Sequence, residues 1–583
     1  MIRQRQVMLG TMLGLGVGLF WLLFTTLAQW VSGQPPIFRG LGEGAFFLVG
    51  CWLLGIAVAR WFETAVLTPT TAATNGFALG AGIWVSWGVI VQPLFFDVEP
   101  SWQATEMLAK LPHLVAYLLA GLLIGWGHRF IRSRWGEAWT MAETSSASQP
   151  TKPKRILILG GGYAGVTAAQ TLERELANEP AIEIYLISQT NYLVHTPMLS
   201  EVSASSVNAQ NISPPLRSFF QRVRVIQGGI AQIDMAQRVV VLTAGSRSRS
   251  RQLPFDHLLL TVGSEPNFFG NKGVERHALG FKTLQDAMRL RNRVIEMFER
   301  ADLEPEASVR RQMLTFVVAG GGFAGVELIG GLNDFTRGIL PFYPEVNADE
   351  VRLVLVHSRE LILPELSDSL GRFAQEKLAG RGVEFMLNTR VVDAEADKVW
   401  VREKGTETAV SLPSNTFVWT AGNKPAPILE TLGLPLERGR IRVNVELAVS
   451  DAIGLWAAGD CAVVPDLTND GKPAPPTAQH ALREGKVAGY NIAASLQGKP
   501  LKTFKFKTLG LLAALGHQLA VAELFGYRFS GFLAWLMWRA IYLSKLPTFE
   551  KQLRVGLDWL LDLFFPADIV QTVDFMETSK DEA

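Results

Sequence analysis

Two segments of this chain repeat one device: a short apolar strand, a G-x-G-x-x-G turn and the start of a helix. Arg155-Ile-Leu-Ile-Leu159 runs into Gly160-Gly-Gly162-Tyr-Ala-Gly165 and a helical pattern from Val166 to Leu176. Thr315-Phe-Val-Val-Ala319 runs into Gly320-Gly-Gly322-Phe-Ala-Gly325 and a helical pattern from Val326 to Phe335. In such a device the first glycine permits the tight turn and the second lets backbone approach a pyrophosphate. The third lets helix and strand pack closely. The phosphates rest on free N–H groups at the positive end of the helix. One copy is a weak signal. Two copies, each directly after a strand, imply two dinucleotides in one chain, and flavin plus nicotinamide is the natural pair. The expected fold is therefore α/β, with two Rossmann-like dinucleotide-binding domains.

A third segment agrees. Leu455-Trp-Ala-Ala-Gly459-Asp460 reads as a strand ending in Gly-Asp, and it follows Phe417-Val-Trp-Thr-Ala421-Gly422. An aspartate at such a strand end can hydrogen-bond a flavin ribityl chain.

The 583 residues exceed one core, so several domains are expected. The net charge of +1 gives no electrostatic case for nucleic acid. Only two cysteines are present, Cys51 and Cys461, so no disulfide framework, CxxC pair or thiolate metal site can be built, and no metal centre is expected. Charge is scarce near the start. Four apolar stretches stand out: Val7–Val31, Gly44–Ala59, Asn75–Phe96 and Leu111–Gly127. They read as an all-α transmembrane segment over residues 1–140. Arg3 and Arg5 precede the first, Arg60 follows the second, and Arg129, Arg132 and Arg134 follow the fourth. Positive charge on the inside makes this an integral membrane protein with its flavin domain cytoplasmic, at a bacterial plasma membrane or its equivalent. His113 and His128 are about 22 Å apart along one helix at 1.5 Å per residue, too far to ligate one haem. The polar stretch 141–154, rich in serine and proline, reads as a linker.

The body that follows resembles the type II NADH dehydrogenases, single-chain NADH:quinone oxidoreductases of the FAD-dependent pyridine nucleotide-disulfide oxidoreductase superfamily. The resemblance lies in GGGYAG (Gly160 to Gly165), TPMLSEV (Thr196 to Val202), TVGSEPNFFG (Thr261 to Gly270), KTLQDAMRLRNR (Lys282 to Arg293), GGGFAGVE (Gly320 to Glu327), AAGDCA (Ala457 to Ala462), PPTAQHALREG (Pro475 to Gly485) and SGFLAWLMWRAIYL (Ser530 to Leu543). It implies a glutathione-reductase-like arrangement: an FAD domain in two parts, 155–275 and 413–500, split by an NAD(P)H domain, 276–412. A region that associates with the membrane, 501–583, completes the chain. It implies that Gly160, Gly162, Gly165 and Asp460 bind FAD, while Gly320, Gly322 and Gly325 face the phosphates of the nicotinamide cofactor. Tyr163, Ala164, Ser188, Thr261, Gly263, Gly459, Ala478, Phe323, Ala324, Ala421 and Gly422 complete the candidate cofactor contacts. Glu327 matches a glutamate near flavin and nicotinamide, and Gln479 matches the first glutamine of a quinone motif.

Several positions depart from that pattern. The strand after the first glycine motif ends in Ser188 and the second in His357-Ser-Arg359, where an acid would hold a ribose. His357 and Arg359 suit a 2′-phosphate, so either NADH or NADPH is expected as substrate. The second motif glutamine is Arg483, and Leu509 replaces a lysine. Glu327, Gln479, His480 and Arg483 are the catalytic candidates, for proton delivery, charge compensation or quinone contact. Relatives that reduce disulfides or sulfide need flavin-side cysteines that this chain lacks.

After Arg528, Gly531–Ser544 is apolar but too short to span, and Leu553–Phe565 mixes Leu, Trp and Phe with Asp558 and Asp562. These read as interfacial helices on the lipid bilayer, with Lys551 and Arg554 near lipid phosphates. Packing on the body or a homodimer contact is the alternative use of the same apolar faces. The expected function is hydride transfer from NADH or NADPH to FAD and then electron transfer to a membrane quinone, without proton pumping. A biosynthetic reductase of a naphthoquinone precursor and a membrane-tethered flavoprotein redox sensor are the alternatives.

Overall fold

The computed structural model describes residues 153–571, apart from 245–248, 470 and 517, together with residues 118 and 122. The four expected membrane spans and the linker fall almost wholly outside these. Among the described residues, no helix is long and apolar enough to cross a membrane.

The chain enters a parallel sheet through β1 (Lys154–Leu159) and leaves it through α1 (Tyr163–Glu175). Ile156 to Leu159 are fully buried, as expected of an unbroken apolar run with layers on both faces. β2 (Ile182–Ser188), the single-turn α2 (Leu199–Ser203), β3 (Arg224–Gln227) and β4 (His257–Leu260) follow. Antiparallel strands between 229 and 254 form a separate three-stranded sheet.

The second half repeats the plan. β5 (Leu279–Gly280), α3 (Leu284–Leu303), β6 (Thr315–Ala319), α4 (Phe323–Ile339), β7 (Arg352–Val356), β8 (Val383–Met386) and β9 (Thr416–Trp419) build a sheet of order β8-β7-β6-β9-β5, parallel throughout. The Thr283–Asp286 capping box fixes the start of α3. β9 pairs with β6 from Phe316↔Thr416 to Ala319↔Trp419. β9 thus belongs to the second sheet, between β6 and the edge strand β5. The two crossing segments meet in a small antiparallel ladder, Ser264–Pro266 with Asn423–Pro425.

The chain then returns as β10 (Leu455–Ala457), which pairs with β4 and completes the first sheet in the order β10-β4-β1-β2-β3. α5 (Ala478–Leu496) lies directly on α1. Their approach needs glycine: a Cβ on Gly485 would stand 2.2 Å from the Ala164 carbonyl oxygen, and one on Gly489 would stand 2.6 Å from that of Ala168.

A three-stranded meander, β11 (Gly510–Ala514), β12 (Ala520–Leu524) and β13 (Tyr527–Gly531), leads to α6 (Phe532–Lys545) and α7 (Phe549–Leu561). Both helices are two-sided. Ala534, Trp538, Val555 and Trp559 are buried against the body, whereas Phe532, Leu533, Leu536, Leu557 and Leu560 are exposed. Packing on the body and an exposed apolar face thus coexist. Lys551 turns to the body, its Nζ donating to the Gln210 carbonyl at 2.6 Å. The Asp558 carboxylate accepts from Asn211 Nδ2 at 2.6 Å.

Candidate functional site

The first glycine loop shows why each glycine is needed. Gly160 adopts φ +117°, and a Cβ there would lie 2.1 Å from the Thr261 carbonyl oxygen. A Cβ on Gly165 would lie 1.9 Å from the Gly160 carbonyl oxygen. Gly162, which caps α1, is the opposite case: a Cβ there would meet no protein atom within 4 Å. The helix N-terminus is therefore open on that side, as a pyrophosphate requires. Tyr163 and Ala164 form the first turn, and Thr261 Oγ1 donates to the Leu159 carbonyl at 2.9 Å, tying β4 to the loop. Ser188 sits beneath the loop, its Oγ 2.6 Å from where a Gly161 Cβ would be. These residues fit the phosphate and ribose end of FAD.

Asp460 lies beyond the end of β10. Its Oδ2 accepts from Ser264 Oγ at 2.7 Å, and the Lys282 ammonium, itself bonded to Ser264 Oγ, is 3.9 Å from the same oxygen. Gly459 adopts φ +77° and donates its N–H to Glu484 Oε2 at 2.7 Å. Burial pushes the Glu484 carboxyl up to about 7, against the pull of that hydrogen bond. Gly263 is also left-handed, at φ +72°, and Ala478 is the first residue of α5. Ser264, Lys282 and Glu484 were missed as site residues, although each lies inside a quoted motif.

The second loop mirrors the first. Gly320 adopts φ +118° with its Cβ position 2.5 Å from Thr420 Oγ1, and a Cβ on Gly325 would lie 1.8 Å from the Gly320 carbonyl oxygen. Thr420 Oγ1 donates to the Ala319 carbonyl at 2.8 Å, as Thr261 does in the first domain. The repeated Thr-x-Gly (Thr261-Val-Gly263, Thr420-Ala-Gly422) was the available signal for Thr420. Gly322 caps α4, with its Cβ position 3.5 Å from Glu365 Oε1, and Phe323 and Ala324 form the first turn. Ala421 N lies 3.1 Å from where a Gly320 Cβ would be, and Gly422 (φ +112°) lies against the Phe269 ring. His357 accepts the Gly321 N–H on Nδ1 at 3.0 Å. Burial, ahead of the nearby Arg359, lowers its pKa, so the neutral ring carries its proton on Nε2. His357 thus supports the glycine loop from below, and Arg359 next to it is exposed.

The catalytic candidates divide into two groups. The carboxyl of Glu327 in α4 accepts from the Ala514 N–H and from Trp538 Nε1, each at 3.0 Å. Burial raises it to about 8, opposed by those two bonds and assisted by the charge of Glu201. Gln479 Nε2 donates to the Gly510 carbonyl at 2.8 Å, while its buried Oε1 has no protein partner. Glu327 and Gln479 therefore grip opposite ends of β11. His480 and Arg483 meet at Phe506, with Arg483 Nη1 also donating to the Gln479 carbonyl at 2.8 Å. His480 Nδ1 bonds Thr477 Oγ1 at 2.8 Å and its ring meets Phe506 edge-on, while the Arg483 guanidinium lies 3.9 Å over the Phe506 ring. These contacts give His480 the part of a helix-start residue. Cys461 is fully buried and its thiol is pushed up to about 12 by burial, so it offers no thiolate at neutral pH.

The comparisons agree with this geometry. Residues 154–485 match the family model of the pyridine nucleotide-disulphide oxidoreductases, and residues 509–568 match that of the NDH2 C-terminal domain. The type II NADH:quinone oxidoreductase Ndh of Mycobacterium tuberculosis is 28% identical over 71% of this chain and 88% of its own length. The demethylphylloquinone reductase NdbB of Synechocystis is 30% identical over 70% of this chain and 95% of its own. Among solved structures, NDH2 of Plasmodium falciparum in complex with NADH aligns with a TM-score of 0.66 at 18% identity, covering 72% of this chain and all of that one, which shows the shared fold. Two glycine loops, a Gly-Asp strand end and a carboxy-terminal NDH2 domain place the chain in the pyridine nucleotide-disulphide oxidoreductase family and, within it, among the type II NADH:quinone oxidoreductases.

Proposed function

We propose that the chain oxidises NADH with FAD and passes the electrons to a quinone. The observation that carries this reading is the pairing of two glycine loops, one per sheet, in a chain whose carboxy-terminal segment closes over Glu327. FAD bound along the first loop supplies the hydride acceptor and the electron donor. Gly160, Gly162, Gly165, Ser188 and Asp460 would hold it, with Lys282 balancing the Asp460 charge. Gly320, Gly322 and Gly325 would take the pyrophosphate of NADH. Glu327 is protonated at neutral pH, its carboxyl being raised to about 8, and can give that proton up as quinone is reduced. Gln479, with an unpartnered Oε1, is the polar group available to orient the quinone side.

Steady-state oxidation of NADH and of NADPH with a soluble quinone tests this. Because β7 is followed by His357-Ser-Arg359 rather than by an acid, we expect kcat/KM for NADH to exceed that for NADPH by less than about 100-fold, that is by under about 2.7 kcal/mol. A larger ratio rejects the reading of the exposed Arg359 as a contact for a 2′-phosphate. A naphthoquinone belongs among the acceptors, since the Synechocystis relative is a demethylphylloquinone reductase.

The exposed Phe532, Leu533, Leu536, Leu557 and Leu560 give the body its own apolar face, which suits a bilayer surface. The segment 1–140 is read as an added anchor with no part in electron transfer. A chain beginning at Thr151 should keep FAD and reduce soluble quinone within about threefold of full length, a difference under about 0.7 kcal/mol, while binding vesicles less tightly. Loss of quinone reduction with flavin reduction intact would show that the first 140 residues build part of the quinone site.

A further inference from the structure

The Glu327 carboxyl is held from the far end of the chain. Both donors to its Oε1, the Ala514 N–H and the Trp538 indole, belong to the segment that matches the NDH2 C-terminal domain. Trp538 is fully buried in α6, and an indole so placed needs a partner for its N–H. One turn on, Tyr542 lies 4.8 Å from the Trp538 ring and meets His195 edge-on at 6.1 Å. His195 is buried, and its Nδ1 lies 2.9 Å from the Tyr163 hydroxyl. One face of α6 therefore touches both glycine helices: Trp538 reaches α4 through Glu327, and Tyr542 reaches α1 through His195 and Tyr163. The opposite face of α6 exposes Phe532, Leu533 and Leu536.

We propose that Trp538 is a positioning residue for quinone reduction: its indole N–H holds the Glu327 carboxyl, so the seating of α6 decides how readily Glu327 exchanges a proton. The proposal rests on Glu327 being the group that handles the proton. Few charges face that carboxyl. Ala514 and Trp538 donate to it and favour its ionised form. Glu201 of α2 opposes ionisation, and the Tyr542 phenol, kept neutral by burial, lies within the field of the same carboxylate. Burial outweighs the two donors, so the carboxyl sits near 8, where a small change in its donors changes its state at working pH. Withdrawing the indole raises it further.

The test is Trp538→Phe in the full-length, FAD-loaded enzyme, which keeps a ring in place and removes one N–H. The limb near pH 8 in the rate profile of quinone reduction should move up by roughly one pH unit, the size of one charge-assisted hydrogen bond, with FAD content unchanged. The double variant with Glu327→Gln should behave as Glu327→Gln alone. A limb that stays in place, with Glu327→Gln removing it, overturns the proposal and leaves the role of Glu327 standing. A limb that survives in Glu327→Gln overturns that role and the proposal with it. Should Trp538→Phe lose its FAD, the wild-type enzyme decides. One indole N–H resonance should titrate near pH 8 and stand still in Glu327→Gln, and the absence of such a resonance overturns the proposal.

Discussion

Gly165→Ala should yield a folded chain with less than about a tenth of the wild-type flavin. The added Cβ would stand 1.9 Å from the Gly160 carbonyl oxygen and 2.8 Å from Thr261 Oγ1. Neither neighbour can yield. The first is backbone in a left-handed turn, and the second is fixed by its bond to the Leu159 carbonyl. The start of α1 must then move off β1, and the N–H groups facing the open side of Gly162 lose their common aim. Overpacking of this kind costs about 1–3 kcal/mol or more, and each 1.4 kcal/mol is tenfold in affinity. Flavin absorbance per protein after gel filtration measures the outcome. The matched variant Gly325→Ala, whose Cβ would stand 1.8 Å from the Gly320 carbonyl oxygen, should keep its flavin and lose reduction by NADH. A Gly165→Ala protein with a full complement of FAD would remove the assignment of the first loop.

Glu327→Gln should reduce turnover with quinone by about 100-fold or more, the lower end of what a positioned proton donor contributes. The amide keeps the volume and can still accept from Ala514 and Trp538, so packing is little changed. It has no proton to give at the pH where the acid does. In the wild type, a carboxyl raised to about 8 is protonated at neutral pH, so a rate that depends on the acid falls as pH rises through that value. The variant should show no such limb. The loss should be greater for reoxidation by quinone than for reduction by NADH, which stopped-flow mixing resolves.

The glycine loops and the Gly-Asp strand end were legible because their requirements are local. A turn, a close approach and a strand end occupy consecutive residues, and their spacing announces them. The environment of Glu327 was not legible, since Ala514 and Trp538 lie 187 and 211 residues away along the chain. Nothing local at either end records that pairing. His357 was read as a residue facing a ribose or phosphate. Its bond from Gly321 N–H turns the ring under the loop, a choice that depends on how β7 lies beside β6. His480 and Arg483 were read as candidates for proton delivery or charge compensation, and both side chains lead to Phe506, more than twenty residues on. β9 carried no sign of which sheet it joins, because a four-residue buried parallel strand has the same composition in either. In the carboxy-terminal helices, sequence offered a lipid face and a packed face as alternatives, and the amphipathic period accommodates both at once.

The central claim is that one chain carries electrons from NADH to quinone through a bound flavin. The most direct measurement is anaerobic and follows flavin absorbance in the full-length protein through two additions. One equivalent of NADH should bleach the flavin band, and one equivalent of a soluble quinone should then restore it in the absence of oxygen, at rates no slower than steady-state turnover. A flavin that NADH reduces but quinone fails to reoxidise would contradict the account, and so would quinone reduction that proceeds while the flavin stays oxidised.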